Sequence, residues 1–116
     1  MPGKGKTMRI DFAAMEEQIV PHMRDGEKEV ALRTYTDGQC KIMRGRLIPG
    51  ASIGLHTHET NSEIIYVLEG QGKVLCDGAY EPLGPGSCHY CPKGHAHSLI
   101  NDSAADLLFF AVVPEQ

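Results

Sequence analysis

The amino-acid sequence predicts an all-β domain. Thirteen glycines and seven prolines recur along the 116 residues. The apolar segments between them are short and rich in β-branched and aromatic residues, which is typical of strands separated by turns. Asp77-Gly78 lies between two such segments and favours a two-residue hairpin turn, because that turn requires positive φ angles. We therefore expect a small antiparallel β-barrel.

The predicted elements are one helix and a series of strands, most of them four to eight residues long. The helix is expected at Phe12–Val20, where Asp11 can cap the N-terminus and Pro21 would end the helix. Each strand is a short apolar segment between turn-forming residues. In chain order the predicted strands are Val30–Thr36, Lys41–Ile48, Ile53–His58, Glu63–Leu68, Lys73–Cys76, Ala79–Leu83, Ser87–Cys91, His95–Ile100 and Leu107–Val113.

Length and charge exclude several classes of protein. A chain of 116 residues fits one domain. Eleven basic and fifteen acidic residues give a net charge of −4, which argues against nucleic-acid binding by neutralisation of phosphates. The longest apolar run, Leu107–Val113, has seven residues, whereas a membrane-spanning helix needs about 20. We expect neither nucleic acid nor membrane as a partner.

The N-terminus and the cysteines predict a cytoplasmic protein. The first ten residues are basic, but no apolar stretch follows that resembles the core of a signal peptide. Reduced thiols are therefore expected at Cys40, Cys76, Cys88 and Cys91, and two disulfides in a secreted protein are the alternative.

The segment Ile64–Leu68 predicts a homodimer. Its residues are apolar without alternation, which indicates that both faces of the strand are covered. A small barrel has only one interior, so the outer face needs the N-terminal segment or a second copy of the chain. Pairs related by a twofold axis are the commonest assemblies.

Histidines are clustered in the middle of the chain. Five of the six fall within 42 residues, and only His22 lies outside this region. His56 and His58 are two residues apart on a predicted strand, so both imidazoles lie on one face. The other three are His89, His95 and His97.

Glu63 and His97 can complete a metal site with His56 and His58. Glu63 begins the strand that follows a polar turn, and His97 comes from a different hairpin. Three imidazoles and one carboxylate suit divalent Mn, Fe, Co, Ni or Zn and leave coordination positions open. An isolated His-x-His would more simply indicate a solvated strand edge, with Glu63 an ordinary surface acid.

The spacing of these residues resembles the two barrel motifs of the cupin family. The first motif has intervals of five, four and six residues and runs through Gly50, His56-Thr57-His58, Glu63 and Gly70. The second has intervals of five, one, two and three residues and runs through Gly86, Pro92, Gly94, His97 and Asn101. Fifteen residues separate the two motifs, which is the compact spacing of small microbial cupins.

The resemblance covers about residues 36–113. It implies a double-stranded jelly roll in which His56, His58, Glu63 and His97 bind one divalent metal ion per chain. Residues 36–116 would form the barrel, and residues 1–35 would pack on it or swap with a partner, as one domain overall.

Cupins carry out many reactions, so the fold alone does not predict the function. The donor set resembles the metal sites of oxalate enzymes and of quercetinase-like or thiol dioxygenases. The resemblance therefore implies a small metalloenzyme, oxidoreductase-like or isomerase-like, acting on a small oxygen-rich metabolite. The alternative is a non-catalytic module that binds or senses a metal or ligand.

Three residues are candidates for catalysis. Glu63 can leave the metal and act as a base, and His95 shares a strand face with His97, so it is either a proton carrier beside the metal or an exposed rim residue. Tyr90 is the third. Alternation places Cys88 and Tyr90 on one face of their strand and His89 and Cys91 on the other, and it leaves open which pair faces inward. We favour Tyr90 and Cys88, because His89 on the opposite face can then reach water.

A zinc cluster is the competing interpretation of the same region. Cys88, Cys91, His95 and His97 supply two thiols and two imidazoles. However, only three residues separate the two pairs, whereas zinc fingers leave about a dozen.

Overall fold

The computed structural model describes residues 8–116 as two antiparallel β-sheets with short 3-10 turns at Phe12–Ala14 and Met23–Asp25. The first seven residues of the predicted N-terminal segment lie outside the described part. The strands are β1 (Gln18–Pro21), β2 (Glu29–Thr36), β3 (Cys40–Leu47), β4 (Ser52–Thr57), β5 (Glu63–Glu69), β6 (Gly72–Cys76), β7 (Ala79–Leu83), β8 (Cys88–Cys91), β9 (Ala96–Ile100) and β10 (Leu107–Pro114).

The strand order is that of a jelly roll. The large sheet has the order β1-β2-β3-β10-β5-β8, and the small sheet has the order β4-β9-β6-β7. The last strand of the chain thus lies between β3 and β5, at the centre of the large sheet. The all-β jelly roll is confirmed. The sheets face each other and do not close into one continuous barrel.

The hydrophobic core lies between the two sheets. Leu47, Val67 and Phe109 from the large sheet pack with Val74 and Leu99 from the small sheet, and all five are almost fully buried. Burial of apolar surface of this kind is the main contribution to the stability of a small domain. The pocket described below opens into this space.

Local sequence signals place the strands well. The nine predicted strands all appear, and their ends agree with the prediction within one residue. The β6–β7 turn is the expected hairpin, since Asp77 and Gly78 both have positive φ angles of 51° and 82°. No helix in the described range is long and apolar enough to cross a membrane.

The predicted helix at Phe12–Val20 is wrong. After one 3-10 turn the chain becomes extended, and β1 pairs with β2 along the edge of the large sheet. The Asp11 side chain makes no capping hydrogen bond. The β-branched pair Ile19 and Val20 favours a strand. The edge of β2 has unpaired backbone N–H and C=O groups, and β1 forms hydrogen bonds with them.

The outer face of β5 is exposed in the single chain. Ile65 and Val67 are buried, while Ile64, Tyr66 and Leu68 on the opposite face are 38%, 42% and 39% exposed. The expected two-sided apolar character is therefore present, but only the inner side is covered by the described residues.

Candidate metal centre

Three strands bring the four predicted ligands together: β4 and β9, which pair in the small sheet, and β5 of the large sheet. His56 on β4 lies directly opposite His97 on β9. His58 follows the end of β4, and Glu63 is the first residue of β5. One ligand atom from each of the four residues lies within 4.8 Å of the others. The four residues predicted from the sequence to bind a metal ion therefore lie close together in the structure.

The ring nitrogens of His58 and His97 converge on Glu63. Glu63 Oε1 is 2.9 Å from His97 Nε2 and 3.1 Å from His58 Nε2. The two Nε2 atoms are 3.0 Å apart. The His56 ring is close to both, with its centroid 4.9 Å from that of His58 and 4.8 Å from that of His97.

Outer hydrogen bonds orient the rings of His56 and His58. His56 Nδ1 is 2.7 Å from the Gly54 carbonyl oxygen, and His58 Nδ1 is 2.6 Å from Asn61 Oδ1. Asn61 directs its amide group to Glu115, so its oxygen faces His58. Since both acceptors lack a proton, each Nδ1 donates, and Nε2 is the nitrogen left to bind a metal ion.

His97 is held by another buried histidine. His97 Nδ1 is 3.0 Å from His89 Nε2, and both side chains lie in the interior. The sequence does not predict this contact. His89 belonged to the histidine cluster, but it was assigned to the outer face of its strand.

Electrostatics keep Glu63 ionised. Burial acts to raise the pKa of this carboxyl group, but hydrogen bonds from His58 and His97 outweigh it and lower the pKa to about 2. The hydrogen bond to Glu63 in turn raises the pKa of His58. The site therefore offers an anionic oxygen beside imidazole nitrogens, which is a donor set suited to a divalent cation.

A cavity of about 270 Å³ opens beside these four residues. Its apolar wall includes core and near-core side chains, which are Met23, Met43, Leu32, Ile53, Ile65, Leu99, Phe109 and Val113. Two cationic residues, Arg24 and Lys41, also line it. Two acidic residues, Glu59 and Glu63, line it as well, and the volume suits a small ligand.

Arg24 reaches this cavity through a close approach of two backbones. A β-carbon at Gly54 would overlap the carbonyl oxygen of Arg24, so glycine at this position lets the Met23–Asp25 turn lie against β4. Burial lowers the pKa of His56, and the nearby charge of Arg24 lowers it further. No sequence signal separated Arg24 from the other arginines.

The predicted orientation of β8 is wrong. Cys88 and Tyr90 are exposed, whereas His89 and Cys91 are buried. The physical reason is the register with β5, in which Cys91 lies opposite Glu63 and His89 lies opposite Ile65. Glu63 and Ile65 both face the interior. Tyr90, which was predicted to be catalytic, does not line the cavity.

The side chain of His95 is not part of the four-residue cluster, although its backbone carbonyl accepts a hydrogen bond from the His58 N–H. Its ring is exposed, and Nδ1 is 2.5 Å from Asp77 at the β6–β7 turn. The competing zinc cluster is likewise not assembled: Cys88 is exposed on the outer face, His95 pairs with Asp77, and His97 faces the candidate metal centre.

Comparisons with known proteins agree with the geometry. The family model described as a cupin domain matches residues 43–113. The "Oxalate-binding protein" of Thermotoga maritima is 30% identical over 116 residues, covering 95% of this chain and 96% of that protein. "Quercetin 2,3-dioxygenase" of Bacillus subtilis is 34% identical over 85 residues, covering 73% of this chain and 25% of that enzyme.

Solved structures show the same architecture. A Thermotoga maritima protein described as a predicted oxalate decarboxylase has a TM-score of 0.89 and 30% identity, covering 94% of this chain and 100% of that chain. The polyketide cyclase RemF of Streptomyces resistomycificus has a TM-score of 0.75 and 25% identity, covering 93% of this chain and 79% of that chain.

Proposed function

The chain belongs to the cupin family, and from that membership we propose that it binds one divalent transition metal ion and, through it, a small carboxylate of about the size of oxalate. The ligands would be His56, His58, Glu63 and His97. The observation that carries the proposal is the convergence of the His58 and His97 Nε2 atoms on the ionised Glu63 carboxylate.

The residues present fit a metal ion. The Nδ1 protons of His56 and His58 are engaged by oxygen acceptors, which leaves Nε2 lone pairs inside the site. Three nitrogens and one carboxylate oxygen are a borderline-hard set that suits Mn, Fe, Co, Ni or Zn. When bound, the cation would supply Lewis-acid polarisation of a chelating carboxylate.

The cavity supports an anionic ligand of limited size. Arg24 and Lys41 are cations among the residues that line it, and they would offset the charge of a carboxylate. Met43, Ile53 and Phe109 are among the apolar residues that line the cavity. A ligand with two oxygens toward the metal and little apolar bulk would fill this space.

We propose an oxidoreductase-like reaction as the activity to test first. A relative of this chain is named a dioxygenase, and open coordination positions would allow an oxygen-rich substrate to bind. Glu63 is the buried carboxylate in the cavity, and it is the residue that we propose as the base in that reaction.

A non-catalytic binding module is the second candidate, and a specific observation favours it. Glu63 has a pKa of about 2, so it is a weak base, while His95 and Tyr90 lie outside the cavity. The chain would then bind a carboxylate without converting it, which fits the name of the relative from Thermotoga maritima.

Calorimetry with oxalate tests the proposal. We expect oxalate to bind wild-type protein loaded with Mn²⁺ or Fe²⁺ and not the metal-free protein, and we expect His58→Ala to lose both metal and oxalate. Equal binding of oxalate with and without metal would contradict the proposal. Loss of oxalate over time under air separates the enzyme from the binding module.

We further propose that the chain forms a homodimer through the outer face of β5 and β8. Ile64, Tyr66, Leu68 and Tyr90 lie on this face, and each is at least 38% exposed. Tyr90 lies directly opposite Ile64 in the strand register, so these side chains form one continuous apolar patch. Contiguous apolar patches of this kind are typical of interfaces between protein chains.

A further inference from the structure

Cys76, His89 and Cys91 form a second group of metal-ligating side chains. The two thiol sulfurs and one ring nitrogen of His89 lie within 4.8 Å of one another. Cys76 ends β6 in the small sheet, whereas His89 and Cys91 are on β8, the edge strand of the large sheet. The cluster therefore joins the two sheets, and it shares no residue with the candidate metal centre.

We propose that Cys76, His89 and Cys91 bind a second, thiophilic cation such as Zn²⁺ or Cd²⁺. Two thiolates and an imidazole are a softer donor set than the three imidazoles and carboxylate of the neighbouring site, so the two sites would select different ions. Three protein ligands also leave a fourth position for water, as in other open zinc sites.

The environment of the thiols disfavours their oxidation. Cys91 is fully buried, and burial raises the pKa of its thiol to about 12. A protonated, buried thiol reacts slowly with disulfides and peroxides, because the thiolate is the nucleophile. A divalent cation instead releases the two thiol protons to solvent, and its charge balances that of the two thiolates.

The two sites are neighbours linked by a histidine pair. His89 Nε2 lies 3.0 Å from His97 Nδ1. In the metal-free chain His97 Nε2 faces Glu63 and can donate to it, so His97 Nδ1 accepts from His89 Nε2 and the lone pair of His89 is on Nδ1, the nitrogen that would bind the second cation. Cys88, which the sequence paired with Cys91, faces outward and is exposed. The partner of Cys91 instead comes from a strand of the other sheet.

Titration of the reduced protein with Cd²⁺ tests the proposal, because cadmium bound to thiolates has a charge-transfer absorption in the ultraviolet. We expect this absorption in the wild type, in the Cys88→Ser control and in His58→Ala, which alters only the other site. It should be lost in Cys76→Ser and in Cys91→Ser. Survival of the absorption in Cys76→Ser, or its loss in Cys88→Ser, would overturn the proposal.

Folding and oxidation are checked alongside. Circular dichroism shows whether Cys91→Ser folds. If it does not fold, the Cys76→Ser variant decides whether the thiols bind the cation, because Cys76 is partly exposed.

Mass spectrometry after incubation with glutathione disulfide tests whether Cys76 and Cys91 instead form a disulfide. A Cys76–Cys91 disulfide that forms readily, in protein whose reduced form binds no Cd²⁺, would assign the pair to redox chemistry and overturn the metal site. Metal binding at His58 would be unaffected by that result.

Discussion

His97 and His89 are joined by a buried hydrogen bond of 3.0 Å between Nδ1 of one ring and Nε2 of the other. This contact holds the His97 ring with its own Nε2 toward Glu63. Buried hydrogen bonds behind a ligand histidine orient the ring and raise its basicity. A residue outside the four-residue cluster therefore supports the proposed metal centre.

Replacing His89 tests that support. We expect His89→Ala to weaken binding of Mn²⁺ by about 10- to 100-fold, because the His97 ring loses the partner that orients it. His95→Ala, which removes an exposed imidazole bound to Asp77, should leave the affinity unchanged. Calorimetric titration of metal-free protein measures both. Equal affinities in the wild type and His89→Ala would mean that the core alone orients His97.

Acid should release the metal before it unfolds the protein. Imidazoles bind a cation only when neutral, and the hydrogen bond to Glu63 raises the pKa of His58 in the metal-free chain. Protons therefore compete with the metal as the pH falls from 7 to about 5, with more than one proton taken up per ion released. Glu63, with a pKa of about 2, stays ionised in this range.

Bound metal measured by elemental analysis after gel filtration at each pH, together with circular dichroism, checks this expectation. Metal that is retained at pH 5 by folded protein would contradict it, and so would loss of metal only in step with unfolding.

The Glu63 carboxylate should stabilise the metal-free protein above pH 4.5. Its pKa falls from 4.5 in the unfolded chain to about 2 in the folded chain, so the folded state binds fewer protons between these values. The stabilisation is on the order of 3 kcal/mol, is fully present above pH 4.5, and is lost as the pH falls toward 2.

Urea unfolding of metal-free wild type and Glu63→Gln at pH 7 and pH 3 measures this difference. The free energy of unfolding of the wild type should decrease more than that of Glu63→Gln over this interval. A parallel decrease in the two proteins would show that other groups cause the acid sensitivity.

A charge on the outer face of β5 should disrupt the proposed dimer. We expect Tyr66→Glu to give the monomer mass in light scattering at micromolar concentration, because it places a carboxylate in the apolar patch. Tyr80→Glu is the matched control, since Tyr80 is 61% exposed on β7 of the other sheet and lies beside Lys73. A monomeric wild-type protein would contradict the proposal.

Local signals in the sequence determined the strands and the four clustered residues. Turn-forming residues and short apolar segments specify strands through neighbours in the chain, which is why the ends agree within one residue. His56 and His58 share a strand face by the period of two, and the motif spacing added Glu63 and His97. No long-range contact was needed for these predictions.

The tertiary structure decided the features that depend on contacts between distant segments. Phe12–Val20 became partly a strand because the edge of β2 was available to pair with it. The side of β8 that faces the interior follows from its register with β5, where Cys91 lies opposite Glu63. Alternation along β8 separates its residues into two faces, but it does not specify which face is buried. The meeting of Cys76 with Cys91, and of Arg24 with the cavity, depends on how the two sheets and the Met23–Asp25 turn pack, which no local pattern encodes.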